Sequence, residues 1–398
     1  MLVSERIKAI KPSPTLAINA KAVSMRQAGV DVISFGVGEP DFDTPTHIRQ
    51  AGVQAIEEGF TRYTAAGGIP ELKEAIVEKF RSDNRLSYEP DEVMVSCGGK
   101  HVLYNLAQAT LNPGDEVIIP APYWVSYPPI VVLAGASPVI VETEEAEDFK
   151  LSPHVLEGAI TPRTKLLVLN SPSNPTGSVY THGELERLAE VVLRHNISVV
   201  SDEIYEKLIF DGNPFSSIAQ VSEALKERVF VVNGVSKTYA MTGWRIGYVA
   251  GAREVIQGMT KIQSQSTSNP NSIAQKAAIA ALKGPQDSVG QMVQAFDERR
   301  QYLVGRLNAM PGIHCNMPVG AFYAFPNFGH YFRSDRKGRD MKGSAHLCEY
   351  LLTEAQVALV PGIAFGADDF VRFSYATSLE AIEAGVDRIE EALKRLGE

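Results

Sequence analysis

The chain has 398 residues, of which 44% are hydrophobic, and its formal net charge is −9. This length suggests two domains, and the acidic balance without a basic stripe argues against a nucleic-acid partner. Residues 1–8 lack the apolar core of a signal peptide, and no run of about 18 apolar residues occurs, so we expect neither secretion nor a membrane span. The three cysteines and eight histidines show neither disulfide nor metal-ligand spacing. We therefore expect a cytoplasmic protein without a metal site.

The middle of the chain alternates short β-branched runs with helical patterns. Helices fall between most of the runs, as at 71–80, where Leu72, Ile76 and Phe80 recur every four residues. The alternation predicts an α/β fold of three layers, α/β/α, with a mostly parallel sheet whose strand carboxyl ends carry the functional side chains. The predicted strands are 92–96, 117–120, 165–170, 198–202, 229–233 and 247–250.

The C-terminal part of the chain has a different pattern. A long amphipathic helix around 296–308 precedes short strands near 322–325 and 371–374. The last helix is predicted to begin with a capping box formed by Thr377 and Glu380. This order of elements predicts a second, smaller α+β domain.

Five polar residues follow the predicted strands in an informative order. Asn174, Asp202 and Tyr205 come first, and Lys237 and Arg245 follow the next strand. Pyridoxal phosphate needs an amine for its aldehyde, a carboxylate for its ring nitrogen, a donor for its phenolate oxygen and a cation for its phosphate. The five residues supply this set, which predicts a site for that cofactor.

Each of these residues also has a simpler interpretation. Lys237 would bind the aldehyde and then move a proton at the substrate α-carbon, but most lysines lie on the surface. Asp202 would keep the ring nitrogen protonated, or it caps a helix. Asn174 and Tyr205 would hydrogen-bond the phenolate oxygen, or the segment 174–177 is an ordinary turn.

Two further sites for anions are predicted. The segment 97–101 follows a strand and opens a helix, so the backbone around Gly99 and Lys100 would bind the phosphate together with Arg245. The alternative is an ordinary glycine turn. Arg372 on the strand 371–374 is suited to bind a substrate α-carboxylate through two hydrogen bonds. The backbone amide of Gly38 would donate to the same carboxylate. The alternative for Arg372 is a buried ion pair.

Over nearly its whole length the chain resembles the fold-type I, class I aminotransferases, which depend on pyridoxal phosphate. The matching segments include 11–15, 38–42 and 371–376, and they favour the aspartate aminotransferase subgroup that includes enzymes acting on prephenate. The resemblance implies a large cofactor-binding domain at 46–290 and a small domain made of 1–45 plus 291–398. It also implies a homodimer with shared active sites.

The resemblance implies further residue roles. Trp124 would stack on the cofactor ring and, with Asn174, contact the substrate, although a core tryptophan is the alternative. Tyr63 would reach the phosphate of the neighbouring subunit. Some relatives take a partner arginine for acidic substrates, but 264–269 contains none. Lys100 would bind the distal carboxylate instead. Lys11 and Thr15 match positions associated with prephenate, or they are a surface cation and a helix cap.

The expected activity is ping-pong amino transfer between L-aspartate and 2-oxoglutarate, with prephenate to L-arogenate as a further reaction. An aromatic or alanine aminotransferase is an alternative on the same scaffold, and so is a C–S β-lyase, which needs no 2-oxoglutarate. The same fold also serves as the effector domain of some transcription regulators. Those proteins carry a DNA-binding head, and this sequence shows none.

Overall fold

The computed structural model describes residues 3–10, 14–332 and 341–397. Its largest sheet has seven strands in the order β2-β8-β7-β6-β5-β3-β4. These strands are β2 (Val93–Ser96), β3 (Glu116–Ala121), β4 (Ser137–Glu142), β5 (Thr164–Asn170), β6 (Ser198–Asp202), β7 (Val229–Gly234) and β8 (Gly247–Ala250). The short strands outside this sheet are β1 (Ile33–Ser34), β9 (Tyr323–Ala324), β10 (Val357–Ala358), β11 (Val360–Pro361) and β12 (Val371–Ser374).

The sheet is mostly parallel, as predicted. The pairs β4/β3, β3/β5, β5/β6 and β6/β7 are parallel, whereas β8 runs antiparallel to both of its neighbours. All six predicted strands are present, and each of their ends lies within one residue of its predicted position. The sequence analysis missed β4. It is an edge strand in which only Val141 is buried, although its run Val139-Ile140-Val141 is β-branched and was an available signal.

Helices cover both faces of this sheet, which confirms the three-layer arrangement. Consecutive strand residues alternate between the two cores, so Val93 and Val95 contact one helix layer and Met94 contacts the other. The helices, in chain order, are α1 (Glu5–Lys8), α2 (Pro14–Gln27), α3 (Thr46–Glu57), α4 (Pro70–Asn84), α5 (Gly99–Thr110), α6 (Tyr127–Leu133), α7 (Pro153–Ala159), α8 (His182–His195), α9 (Arg253–Ser266), α10 (Ser272–Lys283), α11 (Asp287–Asn308), α12 (Ser344–Glu354) and α13 (Leu379–Gly397).

A second hydrophobic core lies outside the sheet layers. It joins α11, α12 and α13 to the short strands β9, β10 and β12, and it includes Phe35 from the N-terminal segment. The strand β1 pairs in parallel with β10, so the N-terminal segment packs with the C-terminal part of the chain. The exact domain limits of 46 and 290 stay predictions.

The predicted capping box of the last helix is wrong. Helix α13 begins at Leu379, and the hydroxyl of Ser378 accepts a hydrogen bond from the amide of Ala381. The capping side chain is therefore Ser378 and not Thr377, because the helix starts one residue later than the pattern indicated. Among the described residues, none of the helices combines the length and the hydrophobicity of a membrane-spanning segment.

Candidate active site

One cavity of about 510 Å³ lies at the carboxyl ends of the parallel strands and is walled by both cores. Its size is typical of a site for a small ligand. Most of the predicted site residues line it, although they come from segments far apart in the sequence. These residues are Gly38, Gly99, Lys100, Trp124, Asn174, Asp202, Tyr205, Lys237, Arg245 and Arg372.

Strand register explains why the polar groups converge. Asn170 at the end of β5 pairs with Asp202 at the end of β6, and Asp202 pairs with Val232 of β7. The side chain of Asn170 donates through Nδ2 to the backbone carbonyl of Asp202 at 2.9 Å. Its Oδ1 accepts a hydrogen bond from the backbone amide of Asn174 at 2.8 Å. Neighbouring strand ends thus fix the loops that carry the functional side chains.

Asp202 is a buried carboxylate with two donors. The hydroxyl of Tyr127 donates to Oδ2 at 2.8 Å, and the amide of Ile204 donates to Oδ1 at 3.3 Å. Burial raises the pKa of Asp202 to about 6, although both donors and the charge of Lys237 oppose that rise. The bond to the residue two positions on is an Asx-turn, no α-helix follows Asp202 before α9, and the next 3₁₀ helix begins only at Ile218, so the helix-cap alternative is wrong.

Lys237 follows β7 and points into the cavity. Its ammonium donates to the carbonyl of Gly38 at 2.5 Å. Burial lowers the pKa of Lys237 to about 8, the carboxylate of Glu39 opposes this, and the charges of Arg372 and Arg245 lower the pKa further. An amine with this pKa gives up its proton much more readily near neutral pH than a surface lysine, so it can act as a nucleophile and as a base.

The start of α5 and Arg245 form an anion-binding corner. Gly98 precedes the helix with φ 91° and ψ 162°, and the guanidinium of Arg245 packs directly against it. Arg245 donates to the carbonyl of Thr242 at 2.8 Å and to that of Cys97 at 3.3 Å. A Cβ atom on Gly99 would meet nothing within 4 Å, so the first turn of the helix borders open space. Helix amides and a guanidinium around such a space suit a phosphate group.

Lys100 and Trp124 form the neighbouring wall. The ammonium of Lys100 lies 5.0 Å from the centroid of the Trp124 ring. Partial burial and the charge of Arg245 lower the pKa of Lys100. Trp124 is half-buried and stands edge-on to Tyr127 at 5.4 Å, so part of its ring faces the cavity rather than a core.

Arg372 on β12 is 3% exposed, and its hydrogen bonds to the described residues go only to neutral oxygen atoms. It donates to Oδ1 of Asn174 at 3.1 Å and to the carbonyl of Gly36 at 2.8 Å, while its Nε is buried without a partner. Its guanidinium lies 4.6 Å from the centroid of the Tyr323 ring. A buried cation held only by neutral groups requires an anion, which favours a ligand carboxylate over the predicted alternative of an ion pair.

Among the described residues, one predicted site residue does not line the cavity of this chain. Tyr63 is 91% exposed. Lys11 lies outside the described residues, and Thr15 falls at the start of α2, where its side chain is likewise outside the described part. The roles of Lys11 and Thr15 in substrate recognition therefore stay predictions.

The cavity also has lining residues that were not predicted, and four of them form hydrogen bonds between side chains of the site. Tyr127 holds Asp202, and Tyr323 shares a hydrogen bond of 2.9 Å with the hydroxyl of Tyr205. Thr242 donates to Glu39 at 2.8 Å. Tyr127 follows Trp124 by three residues in a segment that the sequence analysis had already singled out, so its spacing was an available signal. Glu39 directly follows Gly38 in the matched segment 38–42, which was likewise an available signal, whereas Tyr323 approaches the site only through tertiary packing.

Comparison with known proteins identifies the family. The family model described as aminotransferase class I and II matches residues 30–389. The chain belongs to this family. It is 53% identical to an aspartate aminotransferase of Geobacillus stearothermophilus over 99% of both chains. It is also 50% identical to an aspartate/prephenate aminotransferase of Nitrosomonas europaea, covering 99% of this chain and 100% of that protein.

Solved structures agree with this assignment. The aspartate aminotransferase from Rhizobium meliloti superposes with a TM-score of 0.95 at 46% identity and 99% coverage of both chains. The enzyme from Thermus thermophilus with maleate superposes with a TM-score of 0.93 at 45% identity, covering 98% of this chain and all of that one. The prediction of a fold-type I aminotransferase is confirmed, and the chain is an enzyme that depends on pyridoxal phosphate.

The residues of the aminotransferase fit this cofactor. The open space beside Gly99 and Arg245 suits its phosphate, Asp202 suits its ring nitrogen, and Lys237 suits its aldehyde. A side chain on Gly98 would collide with Arg245, and one on Gly247 would come within 2.3 Å of the Gly99 amide nitrogen. Glycines are therefore required on both sides of the anion-binding corner.

Proposed function

We propose that this aminotransferase moves the amino group between L-aspartate and 2-oxoglutarate, giving oxaloacetate and L-glutamate. The observation that supports the proposal most directly is that two cations, Arg372 and Lys100, line the same cavity as Lys237. Both substrates carry two carboxylates. Arg372 would bind the α-carboxylate, and Lys100 would bind the distal one.

We assign the catalytic work to a few side chains of this cavity. When bound, pyridoxal phosphate supplies the aldehyde that takes up the amino group and the ring that accepts electrons from the substrate α-carbon. Lys237, with a pKa of about 8, moves the proton at that carbon. Asp202 holds a proton at the ring nitrogen, and Arg372 fixes the α-carboxylate so that the α-carbon faces Lys237.

The relatives support a dicarboxylate substrate. The Thermus thermophilus structure contains maleate, a four-carbon dicarboxylate, and several similar proteins are named for aspartate. Prephenate is the second candidate, because relatives at 50–51% identity over nearly the whole chain are named aspartate/prephenate aminotransferases. It would need Lys11 and Thr15, as the sequence analysis predicted.

We also propose that the enzyme works in the cytoplasm as a homodimer with shared active sites. Tyr63 is 91% exposed in the single chain, which suits a residue that contributes to a neighbouring copy. The exposed apolar side chains of Val53 and Ile56 on α3 lie close to it in sequence and are candidates for the same contact. Sedimentation of the purified protein would test the dimer.

The substrate proposal is tested by a panel of amino donors against 2-oxoglutarate and prephenate. We expect kcat/KM to be highest for aspartate, with oxaloacetate as the product. A preference for phenylalanine or alanine would replace aspartate with an aromatic or alanine specificity. Release of pyruvate and a thiol from a cysteine conjugate without 2-oxoglutarate would indicate a C–S β-lyase instead.

Lys100 is the residue that should distinguish dicarboxylates from other donors. Lys100→Ala removes a charge that meets only the distal carboxylate, so we expect kcat/KM to fall about 10-fold or more for aspartate and little for alanine. Lys21→Ala removes an exposed lysine on α2 and serves as the control. Equal losses for both donors would mean that Lys100 supports the phosphate or the fold rather than substrate choice.

A further inference from the structure

One N-terminal segment runs from the second core to the loop between Lys237 and Arg245. We call residues 36–44 the strap, and each of its contacts reaches a different part of the site. The carbonyl of Gly36 accepts from Arg372 at 2.8 Å, and the carbonyl of Gly38 accepts from Lys237 at 2.5 Å. Further along, Thr44 donates to the carbonyl of Ala240 at 2.6 Å. The strap is therefore bound to both carboxylate-binding and cofactor-binding groups.

Glu39 is the acidic residue of the strap that lines the cavity. Its Oε2 accepts a hydrogen bond of 2.8 Å from the hydroxyl of Thr242, which lies in the loop between Lys237 and Arg245. The preceding residue, Gly38, accepts the hydrogen bond of Lys237 itself. Two anchors thus keep the Glu39 carboxylate on the side of the cavity where the amine lies.

The charges that face Lys237 come from four elements. Arg372 on β12 and Arg245 before β8 are positive, whereas Asp202 on β6 and Glu39 on the strap are negative. The rings of Tyr205 and Phe322 lie 6.0 and 5.8 Å from the ammonium. Asp202 is buried and already engaged by Tyr127, and a cofactor ring nitrogen would engage it further. Of the two carboxylates that act on Lys237, Glu39 is then the one that no cofactor atom engages.

We propose that Glu39, held by Thr242, is a positioning residue that sets the pH at which the nitrogen of Lys237 gives up its proton. The inference rests on the assignment of Lys237 as the cofactor lysine. A nearby negative charge favours the protonated nitrogen, so removing the charge must lower the pH of deprotonation. In addition, Glu39 aligns the carbonyl of Gly38 with the same nitrogen, which couples the strap to the reactive group.

The test is a pH titration of the visible absorbance of the holoenzyme, which reports the protonation of the Lys237 nitrogen. For Glu39→Gln we expect the midpoint to move down by about 0.5 pH unit, a modest value because the Glu39 side chain is exposed to solvent. Asp43→Asn is the matched control, since Asp43 lies on the same strap but faces Arg49 at 3.7 Å rather than the cavity. Its midpoint should equal that of the wild type.

A second variant tests the role of Thr242. Thr242→Val leaves the charge in place but removes its anchor, so the midpoint should move in the same direction by a smaller amount. In the double variant with Glu39→Gln, the valine should add no further shift, because the two residues act as one unit. Additive shifts, or a midpoint unchanged in Glu39→Gln, would overturn the proposal.

The outcomes also separate this inference from the proposed function. A wild-type protein without a visible absorbance band after reconstitution would contradict the role of Lys237, and thus the function. A normal band with an unshifted Glu39→Gln titration would contradict only the inference. Circular dichroism of each variant confirms that the fold is retained, and the acid limb of kcat/KM for aspartate should move with the absorbance midpoint.

Discussion

Gly98→Ala should weaken cofactor binding by displacing Arg245. A Cβ atom at position 98 would lie 2.3 Å from Nη2 and 2.8 Å from Cζ of Arg245. Ordinary contacts begin near 3.4 Å, so the guanidinium must retreat by about 1 Å. That movement would break its bonds to the carbonyls of Thr242 and Cys97. The cation would then leave the place where the phosphate is expected.

Two separate effects contribute to the magnitude. Loss of one charge-assisted hydrogen bond costs about 1.5–3 kcal/mol, which corresponds to about 10- to 100-fold weaker binding of pyridoxal phosphate. The backbone of Gly98, at φ 91° and ψ 162°, is in a region that only glycine adopts readily. Alanine there should lower the free energy of unfolding by about 1–3 kcal/mol.

The assay is an absorbance titration of the apoenzyme with pyridoxal phosphate, combined with denaturant unfolding. Gly114→Ala is the matched control, because Gly114 has φ 94° and a Cβ atom there would meet nothing within 4 Å. It should lose stability without losing cofactor affinity. Arg245→Ala should lose affinity without the backbone strain. The reasoning is refuted if Gly98→Ala binds the cofactor within twofold of Gly114→Ala.

Three further variants test other parts of the site. Lys237→Ala should abolish both the visible absorbance of the bound cofactor and transamination, and retained turnover would exclude the mechanism. Tyr127→Phe removes a hydrogen-bond donor that lowers the pKa of Asp202, so the pKa of Asp202 should rise. Cofactor affinity should then begin to decline at a higher pH than in the wild type. An unchanged pH profile of cofactor binding would contradict this. Burial raises the pKa of Glu203 to about 8, above its value in the unfolded chain, so this group makes the wild type less stable as pH rises from about 4.5 to 8. Glu203→Gln should lose that pH dependence. Denaturant unfolding would measure it as the change in the free energy of unfolding between pH 5.5 and pH 8.5. An equal change in the wild type and the variant would show that Glu203 is ionised in the folded protein.

The sheet could be predicted because its buried strands carry a strong local signal. The run that became β6 is apolar and β-branched, and it ends in the carboxylate of Asp202. The edge strand β4 carries a similar β-branched run at 139–141, but half of its side chains face solvent, so its place in the sheet follows from its pairing with β3. Similarly, the antiparallel direction of β8 follows from how the chain returns to the sheet, which no local pattern encodes.

The cavity could be predicted only for residues with a chemical signature at a strand end. Lys237 and Asp202 are of this kind, and the resemblance to the family added Trp124. Tyr323 contacts Tyr205, 118 positions away, and Glu39 contacts Thr242, 203 positions away, so these pairings follow from packing even though Glu39 lies next to the predicted Gly38. Tyr63 is exposed and does not line the cavity of this chain, so its role towards a neighbouring copy stays a prediction from the family resemblance.

The strand register described for β5, β6 and β7 limits how this scaffold can change. Side chains along a strand point alternately to opposite faces, so deleting one residue within β6 would turn the carboxylate of Asp202 away from its present neighbours. Loops beyond the strand ends can change length without turning the strand side chains to the opposite face. Engineers who wish to alter substrate preference should therefore lengthen or exchange loops around the mouth and preserve the residue count of each central strand.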